Sequence, residues 1–221
     1  MKLWYYILII SCFCSCSTSR LLMSNVNPSE INDLQMFEPF SYINLIYKNN
    51  YGVYNNSISQ KSKQIVTEVI SSNKRIPVSG LVSVNDSIVF KKVEKEVEYL
   101  CLNSNKSDFS SIIIPPSIDS LLESRGKRFG LITVTTGFTR TRENYSKQIV
   151  KGLTVSLFSL GMYYQTPVKS NSTIYTIIVD AQQNNIAFYR KSSLQDYEPL
   201  HKGIIESQIE ELFDGYFWNR R

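Results

Sequence analysis

Histidine is almost missing from this 221-residue chain, with His201 alone. A metal centre built on several imidazoles is therefore excluded, and His201 with one cysteine does not make a zinc ligand set. Cysteine is scarce and lopsided: Cys12, Cys14 and Cys16 crowd the N-terminus and Cys101 stands by itself. No disulfide framework can be built inside the body of the chain, even in an oxidising compartment. The G-x-S-x-G elbow, the P-loop and the dinucleotide fingerprint do not occur, so the motif-borne routes to hydrolase, nucleotide and NAD chemistry are lacking, and no cofactor is implied. A membrane-spanning helix needs about 20 apolar residues in a row, and no run reaches that length. There is also no concentrated Lys/Arg stripe and no internal repeat, which argues against nucleic acid and against a solenoid.

What is present is an ordinary globular composition, 43% hydrophobic and 19% charged, enough for one domain plus a tail. The net charge of +5 is a mild basic bias, a weak attraction to anionic lipid or glycan.

The stretch MKLWYYILIISCFCSC places Lys2 before an apolar run from Leu3 to about Cys14, and the polar residues Ser17, Thr18, Ser19 and Arg20 follow. That is the layout of an export signal. Cysteine after small residues at its end resembles the lipobox of bacterial lipoproteins, in which the thiol is acylated and becomes the new N-terminus. Cys12, after Ile9, Ile10 and Ser11, fits the strict pattern with a very short core. Cys16, after Phe13, Cys14 and Ser15, has the better core length and the polar break behind it, and is the expected lipidation site. An ordinary cleaved signal is the alternative. Acyl chains contribute roughly 0.8 kcal/mol per buried CH₂, so two or three give stable anchoring without a transmembrane helix. By the same resemblance, Ser17 rather than Asp after the cysteine implies sorting to the outer membrane, facing the periplasm.

Residues 1–15 are thus expected to be a signal peptide, 16–37 a flexible spacer rich in Asn with little apolar periodicity, and 38–221 an α/β domain. Phe40 to Tyr47 reads as a strand broken at Tyr51 to Asn56, and Ser57 with Gln60 as the capping box of a helix bearing Ile58, Ile65, Val66, Val69 and Ile70. A short strand follows within 75–84. Val89, Phe90, Val93, Val97, Leu100 and Cys101 recur at helical spacing behind a solvated charged face. Pro115 and Pro116 open a helix that Gly126 closes. Phe129 to Phe138 is a buried strand, Thr173 to Asp180 and Ile186 to Arg190 form a hairpin, and Ile205, Ile209, Leu212, Phe213 and Tyr216 stripe a last helix starting near Pro199. The expectation is an α/β (α+β) fold: one mixed sheet covered by amphipathic helices on one principal face, with a C-terminal β-hairpin and closing helix.

LLESRGKRFGLITVTTGF from Leu121, then TIYTIIVDAQQNNIAFY and an amphipathic helix, are similar in rhythm to the periplasmic α/β domain of the curli-secretion lipoproteins and to the N-terminal domain of the Tol-system periplasmic protein. The likeness covers roughly the last half, on Gly126, Asp180 and the hairpin. It implies a ligand-free structural domain. The chain also resembles short outer-membrane lipoproteins of Gram-negative envelopes, for which no activity is implied.

Candidate chemistry is thin. Cys101 sits on an apolar stripe, where a buried, inert thiol is the usual outcome, so a Cys101/His201 dyad is the lesser reading. Gly126-Lys127-Arg128-Phe129-Gly130 reads as a connection, not a phosphate cradle. Asp119, Glu123, Asp180, Glu206, Glu210 and Glu211 are available for glycoside chemistry, but nothing singles out an acid and a base. In Thr139-Arg140-Thr141-Arg142, Arg140 and Arg142 alternate at a strand end and are candidates for an anion or partner contact. The excursion at 144–171 carries Leu153, Val155, Leu157 and Leu160, whose spacing fits a strand as well as a helix. A core helix or strand pair is the plainer reading, and a tilted membrane strand of about 9 to 11 residues the bolder one. In the curli-secretion family hairpins inserted in such a domain assemble into a pore.

The leading expectation is a lipid-anchored cell-envelope protein of structural or interaction type, not an enzyme, with an envelope protein or glycan partner and no metal. The alternatives are an oligomeric secretion or pore-forming lipoprotein that uses the excursion, and a cell-wall-acting enzyme. Cys16→Ser is expected to lose palmitate labelling and membrane attachment, whereas Cys12→Ser keeps both, as metabolic labelling and fractionation will show.

Overall fold

The computed structural model describes residues 22–23, 26–104, 111–160, 162 and 166–219. The signal segment and Cys16, on which the lipidation expectation falls, lie outside these residues. The strands are β1 (Leu22–Met23), β2 (Leu34–Phe37), β3 (Phe40–Lys48), β4 (Tyr51–Tyr54), β5 (Val78–Val82), β6 (Phe129–Arg140), β7 (Ser170–Asp180) and β8 (Asn185–Gln195). The helices are α1 (Asn56–Ser72), α2 (Ser87–Asn103), α3 (Pro116–Glu123), α4 (Arg142–Phe158) and α5 (Lys202–Phe213).

All eight strands join one mixed sheet in the order β1-β8-β7-β6-β2-β5. β3 continues the line of β2 along β6 after Glu38-Pro39, and β4 folds back on β3. β6 is central: it runs antiparallel to β7 from Phe129 opposite Asp180 to Thr139 opposite Ser170, and parallel to β2 and β3. Its apolar, branched run lets it lie buried on both faces.

The helices cover both faces, not one. Val66, Val69 and Ile70 of α1 and Ile205, Ile209 and Leu212 of α5 join Leu131, Ile174 and Ile178 in one core. Val93, Val97 and Leu100 of α2 and Ile118 and Leu122 of α3 join Ile132, Ile177 and Val179 in the other. The reason is chirality. The crossover from β2 to β5 through α1 moves outward, and the one from β5 to β6 through α2 and α3 comes back across β2. Keeping one hand while the direction reverses puts the two connections on opposite faces. A β-bulge between Ile178 and Val179 lets Ile186 and Phe188 face opposite cores in β8.

Four expected boundaries move. Val26, Ile31 and all of β2 are buried, so the latter part of 16–37 belongs to the core and is not a spacer. The break at Tyr51 to Asn56 is the strand β4. The cap of α1 is Asn55, whose Oδ1 accepts the Ile58 N–H at 3.0 Å, rather than Ser57 with Gln60. Asn55 also donates its N–H to the Ile43 carbonyl at 3.0 Å, which starts the helix directly at the exit of β4. The last helix likewise begins at Lys202, capped by His201, and not near Pro199.

The helix closed by glycine is as the sequence predicts. Gly126 has φ +61, its N–H meets the Glu123 carbonyl at 2.8 Å, and the Lys127 N–H meets that of Leu122 at 3.0 Å. This is the Schellman pattern, in which a glycine tolerates the left-handed turn. Immediately after it, Arg128 reaches the wholly buried carboxylate of Asp180 through Nε at 2.9 Å and Nη2 at 2.7 Å. Asp180 Oδ1 also accepts the N–H groups of Gln182 and Gln183 at 3.0 and 3.2 Å, shaping the hairpin turn. One side chain thus fixes both the turn and the β6/β7 register. At the other end, Gly137 is required by close approach, because a Cβ there would lie 2.1 Å from the Asn171 carbonyl oxygen.

Asp180→Ala removes a buried partner from a charge and two N–H groups, and is expected to cost about 3 kcal/mol in urea unfolding. Asp180→Asn keeps an acceptor for the turn and is expected to cost about half as much.

Candidate functional site

The site is built where β6 ends. Thr141 donates its N–H to the Ile46 carbonyl at 3.1 Å, and its hydroxyl accepts the Asn144 N–H at 3.3 Å, so it caps α4. Asn144 is the one buried residue of α4. Its Nδ2 donates to the Asn49 carbonyl at 2.8 Å and its Oδ1 accepts from Arg140 Nη1 at 2.9 Å. The first turn is therefore pinned to the β3–β4 turn, while the rest of the helix projects past the sheet.

Arg140 and Arg142, expected side by side on a strand, separate: Arg140 is the last residue of β6 and Arg142 the first of α4. The capping turn at Thr141 interrupts the alternation. Arg142 is exposed. Arg140 is half-buried, and its acceptors among the described residues are neutral: Val168 O at 2.7 Å, Asn50 Oδ1 at 3.0 Å and Asn144 Oδ1. Burial pushes the guanidinium pKa down. The contrast with Arg128, whose pKa is raised by its bonds to Asp180, is direct.

Arg140 forms the floor of an open cleft of about 510 Å³ between the inner side of α4 and the strand ends. Lys151, Gln148, Asn50 and Thr166 bring polar groups to it, Phe138 and Val155 apolar ones, and among the described residues no acidic one lines it. Of these, the sequence reading singled out Arg140 and Val155. Asn144, Gln148, Lys151 and Val155 recur at helical spacing, the signal that would have grouped them once the segment was known to be a helix.

The excursion is neither a membrane strand nor a core element. Residues 142–158 are helical, and Leu153, Val155, Leu157 and Leu160 are all exposed. Val150, Leu153 and Leu157, at i, i+3 and i+7, make an outward apolar stripe, continued by Phe158 at 88% and Leu160 at 89% exposure. No helix among the described residues is long and apolar enough to cross a membrane.

The remaining candidates do not converge. Asp119 and Glu123 lie on α3 and Glu206, Glu210 and Glu211 on α5, across the sheet from each other, while Asp180 is held by Arg128. Glu210 pairs with Arg75 at 2.8 Å. Lys127 of the glycine-bearing connection bonds Asp33, which also accepts from Ser79; these donors hold the Asp33 carboxyl below its ordinary value. Cys101 on α2 and His201 at the start of α5 serve opposite faces and form no dyad. Cys101 instead walls a second groove, of about 520 Å³, with Val97, Leu102, Val134 and Tyr175. Among the described residues no three His, Cys, Asp or Glu gather as a metal site.

No family model matches this sequence, and no curated protein does. Among solved structures the chain is similar to a PelC dodecamer from Paraburkholderia phytofirmans, at 8% identity and TM-score 0.41 over 92% of this chain and 99% of that one. It is also similar to the LpoB C-terminal domain from Salmonella enterica, at 10% identity and TM-score 0.32 over 78% and 87%. A DUF4136 family protein from Bacteroides thetaiotaomicron gives 8% identity and TM-score 0.33 over 92% and 98%. Likenesses at this level say nothing of what the chain does.

Burial, with the Glu98 charge in second place, pushes the Cys101 thiol up to about 12. Its reaction with a disulfide reagent at pH 8 is therefore expected to run on the order of 10²-fold slower than that of a free cysteine with a pKa of about 8.5, the smaller thiolate fraction being partly offset by the greater nucleophilicity of the more basic thiolate, measured by thiol release.

Proposed function

We propose that this is a lipid-anchored cell-envelope protein of structural or interaction type, without a catalytic role, whose domain rests on the membrane through α4. The observation that carries the reading is the outward stripe of α4. Helices α1, α3 and α5 turn their branched and aromatic residues into the two cores, and α2 buries Val93, Val97 and Leu100 while leaving Ile88, Tyr99 and Leu102 exposed; α4 buries no apolar residue and leaves Val150, Leu153, Leu157 and Phe158 in the open. A contiguous apolar surface on a soluble domain marks a contact. Arg142, Lys147 and Lys151 on the same helix add cations of the kind that draw an interfacial helix to anionic lipid.

The direction of the chain favours lipid as the occupant. β1 is antiparallel to β8, with Leu22 opposite Tyr189 and Met23 opposite Phe188, so its N-terminal end points toward Gln195. That is the end of the sheet at which β6 stops and α4 begins. The roughly six residues from Leu22 back to Cys16 can reach about 20 Å when extended, which matches the roughly six strand residues from Tyr189 to Gln195. An acyl anchor on Cys16 and the stripe of α4 would then meet one bilayer. A pore formed by a strand hairpin loses its support, because the excursion is helical.

The test uses full-length lipidated protein in phosphatidylcholine vesicles, with an environment-sensitive fluorophore on Phe158→Cys and, as control, on Tyr99→Cys. The Phe158→Cys label is expected to be quenched by nitroxide-bearing lipid and shielded from iodide, and the control label the reverse. Iodide access at both positions would sink the reading.

A further inference from the structure

The two ends of β6 each carry an arginine, and only one is neutralised. Arg128 has the buried carboxylate of Asp180, while Arg140, at the α4 end, has three neutral oxygens. A guanidinium has five N–H donors. Nε and Nη1 of Arg140 are engaged, and Nη2 has no acceptor among the described residues. A charge withdrawn from water is ordinarily paired, and among the described residues no acid lines the cleft. Lys151 adds a second cation to the same cleft. The nearby Lys147 is already bound to Glu143 at 2.5 Å and does not line it.

We infer that this cleft receives the phosphate of an anionic phospholipid headgroup, with Arg140 and Lys151 as its charge partners and Gln148, Asn50 and Thr166 as the polar groups around it. The inference rests on the reading of α4 as the membrane-facing helix. A planar guanidinium with a free edge suits phosphate oxygens, which it can take pairwise, and an ammonium beside it supplies a second, adjustable charge. The volume, about 510 Å³, is that of a small-molecule site. Val155 belongs both to the cleft wall and to the exposed apolar surface of α4. A headgroup in the cleft can therefore send its acyl chains out along Val155 toward Phe158, where the proposed bilayer contact lies. A free anion would have no use for that apolar exit, which is why a lipid is the favoured source.

The experiment follows the acetylation rate of Lys151 by mass spectrometry in full-length lipidated protein, anchored in phosphatidylcholine vesicles with or without phosphatidylglycerol. Lys147 reports the general effect of an anionic surface on the reagent. The expected result is that phosphatidylglycerol slows Lys151 about tenfold more than Lys147, a local contact rather than the screened field of the surface. Arg140→Gln should abolish that difference. Because Arg140 also braces Asn144, Gln148→Glu serves as a second variant: it puts a carboxylate in the cleft without removing a hydrogen bond of the fold, and should abolish the difference too. Equal slowing of Lys151 and Lys147, or a difference that survives Gln148→Glu, would overturn the headgroup site. If millimolar inorganic phosphate protects Lys151 as well in phosphatidylcholine vesicles, the ligand is a free anion and the lipid assignment is wrong. The Phe158→Cys fluorophore in the same vesicles keeps the two proposals apart: a lipid-quenched label with an unprotected Lys151 removes the headgroup site and leaves the membrane contact standing. An unquenched label removes the membrane contact whatever Lys151 does.

Discussion

The carboxylate of Asp180, closed off from water at the mouth of the last hairpin, is the constraint around which the sheet is assembled. A buried charge of this kind is tolerated only with full compensation, and the chain meets the demand with a two-pronged guanidinium and two backbone N–H groups. Arg128 stands at the threshold of β6, so the pair sets where β6 begins against β7 and which of its residues turn to which core. Phe129 and Leu131 go to the α1/α5 side, Ile132 and Val134 to the α2/α3 side. A slip of one residue would exchange them.

The same strand ends in a different environment. Its last residues pass Gly137, where the backbone of β7 comes too close for a side chain, and stop at an arginine that meets no acid among the described residues. Beyond it α4 is fastened by its first turn alone and buries nothing apolar of its own in either core. One end of the sheet is therefore internally complete, with ion pairs among Arg128, Asp180, Lys127 and Asp33. The other presents unspent charge and uncovered apolar surface side by side. That polarity is a reason to place any contact with the surroundings at the α4 end.

Much of the architecture was legible in order and type. The hairpin was readable because Asp180 and the polar turn to Asn185 separate two branched runs, and the stripe of α5 because all its apolar positions are in fact buried. The end of α3 was readable from Gly126, since a left-handed residue leaves a compositional mark. The cap of α1 was not, because Asn55 and Ser57 are both good caps and the choice fell to the Ile43 carbonyl, a partner distant in sequence. The strand β2 hid in a segment of spacer-like composition, where four residues between two parallel neighbours show no alternation to detect. Arg140 was visible as a candidate, but not its companions, which come from α4 and from the β3–β4 turn.

By itself the sequence raised the expectation of an export signal with its cysteines, determined the mixed sheet with its closing hairpin and helix, and lacked the G-x-S-x-G, P-loop and dinucleotide motifs. These depend on local patterns: an apolar run of a given length, alternation, a glycine at a helix end. Only the tertiary structure decided that both faces of the sheet are covered, that the excursion is a helix, and that its apolar side is left outside the core. Periodicity reports which residues share a face but not what lies opposite that face. What lies opposite is fixed by the hand of the crossovers and by the register of β6, both of which join residues far apart in the chain.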